Sequence, residues 1–183
     1  MINKIIASIL LVLFSPVMLI IALLIKVTSR GQIIYKQKRA GLNGKIFTFY
    51  KFRTMVQDAD KNGVFLCKKG EKKITGVGRI LRSIYLDELP QLFNIIKGDM
   101  NFIGPRPEML PYHEKFKKIK NWNKRLKIKP GITGLAQISN VGSFNPKKKL
   151  EHDLLYIKNK SLLFDAKIIL KTGVKFFQHL FQL

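Results

Sequence analysis

Acidic side chains are scarce in this chain, and two of them are neighbours. Asp87 and Glu88 form the pair, and Asp99 follows not far behind. A carboxylate at a helix start can act as a nucleophile or a metal ligand, while the helix dipole favours an anionic phosphate nearby. An ordinary N-cap followed by a first-turn acid gives the same spacing. With 11 acids against 34 lysines and arginines, this region is where Mg²⁺ would bind most readily.

Basic side chains could bind a phosphate beside that pair. Arg106 lies between Pro105 and Pro107, which fix the backbone, so its guanidinium can be aimed at a phosphate with little further loss of entropy. A solvated arginine in a proline turn is the alternative. Four other residues could add positive potential around the same anion: Lys51, Arg53, Arg79 and Arg82. Taken singly, each of these four is more typical of a solvated surface charge.

The segments that carry these residues predict an α+β chain that is mostly helical. Two β-like runs, 33–35 and 46–50, flank a turn with two glycines and predict a small hairpin. Helical spacing over 78–98 places Asp87 at an N-cap and Gly98 at the helix stop.

Further helices are predicted after the proline turn at 104–107, the first over 112–127 and the others beyond Pro146. The final stretch, 168–183, mixes aromatic side chains with lysines, which suits a helix at a bilayer interface as well as one that faces a core. Residues 57–75 are polar and rich in lysine and glycine, so they predict a loop without chemistry.

Residues 5–25 are almost wholly apolar with cations on both sides, which predicts membrane insertion. The run is too long for the apolar core of a signal peptide, and no small-x-small cleavage site follows it. Pro16 cannot donate to the carbonyl of Val12, so a bend is expected there, and the Ser15 hydroxyl could bond a carbonyl one turn earlier. The residues alone leave open whether the helix crosses the bilayer or returns to the same face.

Composition bounds the remaining possibilities. A length of 183 residues suits one catalytic body, and a net charge of +23 indicates a polyanionic partner such as anionic lipid, nucleic acid or a phosphorylated substrate. The single cysteine, Cys67, cannot form an internal disulfide. His113, His152 and His179 are scattered and lack zinc-ligand spacing, and no Gly-x-Gly-x-x-Gly or P-loop pattern favours a nucleotide-binding fold of those types.

Five short motifs follow one another in the order in which they occur in bacterial sugar transferases. They are YKFRTM at 50–55, LDELPQL at 86–92, KGDM at 97–100, GPRP at 104–107 and KPGITG at 129–134. From Leu10 to about Thr172 the chain resembles the monotopic phosphoglycosyl transferases, including the minimal bacillosaminyl-phosphate transferase type.

The resemblance implies a re-entrant membrane helix over 1–30, broken at Ser15 and Pro16, and a catalytic domain over 31–183. It implies a small β-hairpin, amphipathic interfacial helices and a location at the cytoplasmic face of the bacterial inner membrane. The implied partners are a UDP-sugar, polyprenyl (undecaprenyl) phosphate and inner-membrane lipids, and not nucleic acid.

The resemblance also implies the reaction. In the family, the aspartate of the Asp-Glu pair attacks the β-phosphate of the UDP-sugar, releases UMP and holds the sugar phosphate until the polyprenyl phosphate collects it. Asp87 would be the nucleophile, assisted by Mg²⁺ as its ligand, with Glu88 as its partner in the dyad. Arg106 and Arg82 would bind phosphate, and Lys51 would line the site.

The chain departs from the family pattern at several positions. Asn3 stands where members have an aspartate before the apolar run, which concerns the interfacial contacts of the anchor. Lys129 replaces an arginine, Leu135 replaces a tryptophan, and the residues at 139–141 are not the usual Asn-Gly-Arg. These last positions are candidates for sugar or nucleotide specificity.

Two functions of other classes stay open on the residues alone. One is a membrane-anchored basic binding protein, for example one associated with nucleic acid, which would leave the Asp87-Glu88 pair and the Arg106 turn unexplained. The other is an inactive scaffold of the same fold that recruits glycan enzymes. Release of UMP separates all three, because neither alternative produces it.

Overall fold

The chain folds into a mostly helical α+β arrangement, as the sequence predicts. The structure, a computed structural model, describes residues 1–57, 59, 73–141 and 145–180. The helices in that part are α1 (Ile2–Thr28), α2 (Gly76–Ser83), α3 (Gln91–Lys97), α4 (Leu110–Phe116), α5 (Leu135–Ile138), α6 (Pro146–Asn159) and α7 (Leu162–Leu180). The strands are β1 (Ile34–Ala40), β2 (Ile46–Phe52), β3 (Asn101–Ile103) and β4 (Gly131–Thr133). Short 3₁₀ helices occupy Leu42–Gly44, Leu86–Glu88 and Trp122–Lys127.

The predicted hairpin is confirmed, and it is longer than the two β-like runs. Strands β1 and β2 pair antiparallel, with Tyr35 opposite Lys51 and Arg39 opposite Phe47. The connecting turn places Asn43 and Gly44 in the left-handed region, at φ 52° and 79°, which asparagine and glycine tolerate best. Because side chains alternate along a strand, the odd-numbered residues of β1 and β2 share one face.

Helix α1 packs against the hairpin and α3 through both of its halves. Near its start, Ala7 joins a core cluster with Phe49 and Ile95; near its end, Ile25 joins a second cluster with Phe52. Most of the helix is nevertheless exposed, because only 11% of its most apolar 18-residue stretch is buried. Its length and hydropathy suffice to cross a membrane, and its exposed apolar surface suggests membrane association.

Pro16 lies inside α1 without ending it. The ring removes the donor that the carbonyl of Val12 would otherwise receive, and the Ser15 hydroxyl donates to that carbonyl over 2.7 Å. The predicted serine bond is therefore confirmed, and it explains how the helix continues through a residue that usually interrupts one.

The helix predicted over 78–98 is wrong as a single element. Tyr85 adopts a left-handed conformation, at φ 54°, and ends α2. The 3₁₀ helix Leu86–Glu88 follows, and α3 starts only at Gln91, after Pro90. Asp87 therefore lies in the 3₁₀ turn and makes no side-chain cap, so its predicted N-cap role is also wrong.

The helix predicted over 112–127 is likewise divided. Helix α4 ends at Phe116, and Asn121, at φ 67°, separates it from the 3₁₀ helix Trp122–Lys127. The other helices predicted beyond Pro146 are confirmed as α6 and α7. Of the loop predicted over 57–75, most residues, including Cys67, lie outside the described residues.

Gly78 is the point where α2 touches the segment that follows β2. A Cβ added there would lie 2.1 Å from the backbone oxygen of Thr54, whereas one added at Gly76, in the same helix, would meet nothing within 4 Å. We therefore expect Gly78→Ala to lower the free energy of unfolding by about 1–3 kcal/mol through forced overpacking.

Gly76→Ala is the matched control and should leave stability unchanged or raise it by up to about 1 kcal/mol. Thermal unfolding in detergent measures both variants. Equal midpoints for the two would show that α2 is not held against Thr54.

Candidate active site

Three elements converge on the Asp-Glu pair that the sequence singles out. The 3₁₀ turn Leu86–Glu88 carries it and packs against β2. Lys51 lies near the end of β2, Arg82 in the last turn of α2, and Arg106 in the loop after β3. These three cations, together with Glu88, are the charges that act most strongly on Asp87. The structure therefore brings together five of the seven predicted site residues.

Glu88 and Arg106 form a two-pronged ion pair. Arg106 Nη2 pairs with Glu88 Oε1, and Nη1 donates to Oε2 over 3.2 Å and to the carbonyl of Ile132 over 3.4 Å. Burial alone would raise the pKa of Glu88, but the charge and hydrogen bonds of Arg106 outweigh it, so the pKa is lowered. Glu88 is thus an ionised carboxylate whose two oxygens both bind Arg106.

Asp87 is in the opposite situation. Its side chain is buried, with 6% of the residue exposed, and within the described residues it accepts no hydrogen bond. Burial and the neighbouring Glu88 charge raise its pKa to about 6, although Lys51, Arg106 and Arg82 oppose the rise. At neutral pH Asp87 is therefore a carboxylate with unshared oxygens among cations, which is what a nucleophile or a metal ligand requires.

Among the three neighbouring cations, Lys51 lowers the pKa of Asp87 most. Burial lowers its pKa to about 8, while the Asp87 charge favours its protonated form. Its ammonium also lies over the ring of Tyr35, 5.7 Å from the centroid, on the shared odd-numbered face of the hairpin. The packing thus keeps a charged amine in a poorly solvated position beside a carboxylate.

Arg82 is oriented by a hydrogen bond outside the site. Its Nε donates to Thr54 Oγ1 over 2.9 Å, which ties α2 to the segment that follows β2. Four N–H donors of a five-donor guanidinium then remain for a ligand.

Arg53 and Arg79 lie apart from this set. Arg53 Nη2 donates to the carbonyl and hydroxyl oxygens of Ser29, at 2.8 and 2.7 Å, and so binds the end of α1. Arg79 is exposed on α2, one turn before Arg82. Neither is among the charges that chiefly shift the pKa of Asp87.

Arg39 is a buried cation that the sequence analysis missed. It lies on β1, its guanidinium stacks 4.0 Å from the ring centre of Phe49, and burial followed by the Arg106 charge lowers its pKa to about 10. The predicted run, 33–35, stops short of Arg39; extending it by period-two alternation would have placed Tyr35, Gln37 and Arg39 on the face that carries Lys51.

The residues fit a magnesium ion only in a restricted way. No group of three or more His, Cys, Asp or Glu side chains comes together in the part of the chain that the structure describes. Glu88 is committed to Arg106, and Asp99 follows the far end of α3. Of the two neighbouring carboxylates, Asp87 is the one that offers free oxygens, which suits Mg²⁺, because this ion often takes one or two carboxylates and fills its shell with water and phosphate oxygens.

A family model described as bacterial sugar transferase matches residues 1–179. The chain belongs to the bacterial sugar transferase family. This confirms the resemblance that the five motifs predict, and it extends the match over α1 at one end and most of α7 at the other.

Named relatives of this bacterial sugar transferase differ in length. The UDP-glucose:undecaprenyl-phosphate glucose-1-phosphate transferase of Klebsiella pneumoniae is 41% identical over 179 residues, which cover 94% of this chain and 38% of that protein. The UDP-N-acetylgalactosamine-undecaprenyl-phosphate N-acetylgalactosaminephosphotransferase of Aeromonas hydrophila is 42% identical over 164 residues, covering 87% and 39%.

A third relative is of more similar length. The uncharacterized sugar transferase EpsL of Bacillus subtilis (strain 168) is 39% identical over 158 residues, which cover 86% of this chain and 76% of that protein. The present chain therefore spans about two fifths of the first two relatives and about three quarters of the third.

The opposing charges of Lys51 and Asp87 give a prediction that needs no assay of activity. Because the ammonium lowers the pKa of Asp87, Lys51→Met should raise that pKa further above 6. Infrared titration of the carboxyl band, with Asp87→Asn subtracted to isolate the signal, measures the change.

Lys36→Met is the control, since Lys36 is exposed on the other face of the same hairpin. It should leave the Asp87 titration where it is. An unchanged or lower pKa in Lys51→Met would mean that the two side chains do not interact in solution.

Proposed function

We propose that this chain is a phosphoglycosyl transferase that moves a sugar phosphate from a UDP-sugar to undecaprenyl phosphate and releases UMP. The observation that carries the proposal is the buried Asp87, which accepts no hydrogen bond from the described residues and is surrounded by Lys51, Arg82 and Arg106. A diphosphate substrate brings negative charge to these cations, and the carboxylate supplies a nucleophile among them. The activities for which the two longer relatives are named agree with this class of reaction.

In the first step, an oxygen of Asp87 attacks the β-phosphorus of the UDP-sugar. The bond between that phosphorus and the oxygen bridging the two phosphates breaks, and the bridging oxygen leaves with its electron pair as part of UMP. Lys51 and Arg82 are placed to stabilise the charge that moves onto the leaving phosphate. Arg106 retains two of its five donors beyond those given to Glu88 and Ile132, so it can bind the phosphate while it stays paired.

In the second step, a phosphate oxygen of undecaprenyl phosphate attacks the same phosphorus. The acyl phosphate bond to Asp87 breaks, the carboxylate is regenerated, and the sugar phosphate is now part of a lipid diphosphate. Splitting the transfer means that the soluble donor and the lipid acceptor need not occupy the site together. Glu88 stays ionised throughout and fixes Arg106.

Mg²⁺ bound by Asp87 and the substrate phosphates would neutralise part of the negative charge that the two reactants bring together. Among the described residues around the site, Asp87 would supply the carboxylate ligand. The lowered pKa of Glu88 keeps the second carboxylate with Arg106 and away from that ion.

We also propose that α1 enters and leaves the membrane at the cytoplasmic face of the inner membrane. Its first half packs with Phe49 and its last turns with Phe52, so the same hairpin contacts both halves. A methyl group built on Gly98 would lie 3.4 Å from Lys4 Nζ and 3.6 Å from Lys129 Nζ, so the start of α1 lies beside the end of α3. A helix that crossed the bilayer upright would carry one of these contact regions to the far side.

Release of UMP tests the proposed reaction. The chain in detergent with Mg²⁺, undecaprenyl phosphate and each member of a panel of UDP-sugars should release UMP with at least one sugar. Asp87→Asn should abolish the release, whereas Asp99→Asn, the same change outside the site, should retain it. A basic binding protein or an inactive scaffold would release none, and turnover retained by Asp87→Asn would contradict the role given to that residue.

The membrane path of α1 gives a separate prediction. Single cysteines placed at Asn3 and Ser29, in a Cys67→Ser background, should react with a membrane-impermeant thiol reagent only from the cytoplasmic side. Changing Ser15 and Pro16 together to leucine should favour a straight helix and move the first cysteine across the membrane. Periplasmic labelling at position 3 without that change would contradict a re-entrant helix.

A further inference from the structure

The loop that carries Arg106, residues 104–108, is held partly by two arginines that are distant in the sequence. Pro105 and Pro107 have no N–H, so the loop cannot hold itself in place by donating from those positions. The N–H of Gly104 donates to the carbonyl of Thr133 over 3.0 Å, and the carbonyl groups that follow it supply further attachment. At the two ends, Pro105 O accepts from the backbone N–H of Gly131 over 3.1 Å, and Glu108 O accepts from that of Ala40 over 3.3 Å.

The two middle carbonyls are bound by buried guanidinium groups. Arg125 Nη2 donates to the carbonyl of Arg106 over 2.8 Å, and Arg39 Nη1 donates to the carbonyl of Pro107, also over 2.8 Å. Arg125 and Arg39 expose only 2% and 7% of their surface. They reach the loop from different parts of the fold, since Arg39 is on β1 and Arg125 is in the 3₁₀ helix Trp122–Lys127.

Each of the two arginines is itself held. Arg125 Nε donates to Asp153 Oδ2 of α6 over 2.8 Å, and Nη2 lies 2.7 Å from the same carboxylate oxygen in an ion pair. The guanidinium also lies 4.6 Å from the ring centre of Trp122. Arg39 donates to Gln37 Oε1 from Nε and Nη2, at 3.3 and 3.0 Å. The two guanidinium groups therefore have little freedom to move, which suits side chains that hold another residue in place.

The end of the same loop is tied into this charge network. Glu108 pairs with Lys149 of α6 and lies 3.6 Å from Arg125 Nη1. Burial alone would raise the pKa of Glu108, but these two cations outweigh it and lower the pKa. Glu108 is therefore charged at neutral pH. Helix α6 thus reaches the Arg106 loop directly through Lys149 and indirectly through Asp153, which pairs with Arg125.

We propose that Arg125 and Arg39 are positioning residues, which grip the carbonyls of Arg106 and Pro107 and thereby hold the Arg106 side chain on Glu88 and towards the substrate phosphate. The part of this statement that concerns the substrate rests on the proposed function. Geometry of this kind matters for rate, because a displacement of about 1 Å in a binding group can cost on the order of a hundredfold.

Arg125→Lys is the direct test. The lysine keeps the charge that faces Asp153 and Glu108, but a single ammonium cannot also supply the planar fork that reaches the carbonyl of Arg106. With Arg106 less well held, its side chain should move more freely on Glu88. Nuclear magnetic resonance of the guanidinium groups, with the Arg106 signal assigned from Arg106→Lys, reads this directly as faster exchange of the Arg106 N–H groups and needs no turnover.

Turnover supplies the second readout. We expect kcat/KM for UMP release to fall by about tenfold or more in Arg125→Lys, and Arg39→Lys should behave alike through the neighbouring carbonyl. Tyr156→Phe is the matched control, because Tyr156 is buried on α6 and bonds Asp165, away from the loop. It should alter the melting temperature without altering the Arg106 signal or kcat/KM.

The two readouts distinguish failure of the positioning role from failure of the proposed function. Unchanged exchange at Arg106 in both folded arginine variants overturns the positioning role, and so does a Tyr156→Phe variant that reproduces their effects. If neither arginine variant folds, Asp153→Asn, which releases Arg125 without removing it, decides by the same two readouts. A wild-type chain that releases no UMP defeats the proposed function, while the Arg106 signal still tests whether the loop is held.

Discussion

The ion pair between Glu88 and Arg106 is the interaction on which the rest of the site depends. Two adjacent carboxylates in a buried turn repel each other, and one of them must be neutralised if the other is to stay free. Arg106 does this for Glu88 through a bidentate contact, which lowers the pKa of that carboxyl. Asp87 is then left with unshared oxygens, and its pKa, raised to about 6, still leaves it ionised at neutral pH.

The fold around this pair works mainly to bring cations to it from separate segments. The hairpin supplies Lys51, the last turn of α2 supplies Arg82, and the proline loop supplies Arg106. Each is oriented by a group outside the site: Tyr35 for the lysine, Thr54 for the first arginine, and the buried guanidiniums for the loop. Because α1 packs on the same hairpin and on α3, the long apolar helix is joined directly to the elements that carry the site.

Much of this could be predicted from the sequence, because the signals are local. The hairpin follows from period-two alternation around a turn, and the bond from Ser15 to the carbonyl of Val12 follows from the missing donor of Pro16. The grouping of Asp87, Glu88, Lys51, Arg82 and Arg106 was expected from motifs that the family shares. What the sequence could not show are the breaks at Tyr85 and Asn121, since neither residue is a glycine and tertiary packing decides whether each adopts a left-handed conformation.

The sequence also could not predict the direction in which long side chains point. Arg53 and Lys51 are two residues apart, yet one binds the end of α1 and the other faces Asp87. Arg79 and Arg82 share a helix, and only the second is turned inwards. Arg39 and Arg125 are 86 positions apart, and nothing in the sequence near either residue indicates that both reach one loop.

The most direct measurement of the central claim is the mass of the protein after exposure to the donor alone. The chain is incubated with Mg²⁺ and a UDP-sugar that supports UMP release, without undecaprenyl phosphate, and is then analysed intact and after proteolysis. The covalent route predicts a gain of one sugar phosphate on the peptide that contains Asp87, with UMP formed in equal amount, and its absence in Asp87→Asn. An unmodified protein, with UMP appearing only after the lipid is added, would contradict the covalent route and favour direct transfer with Asp87 as a metal ligand only.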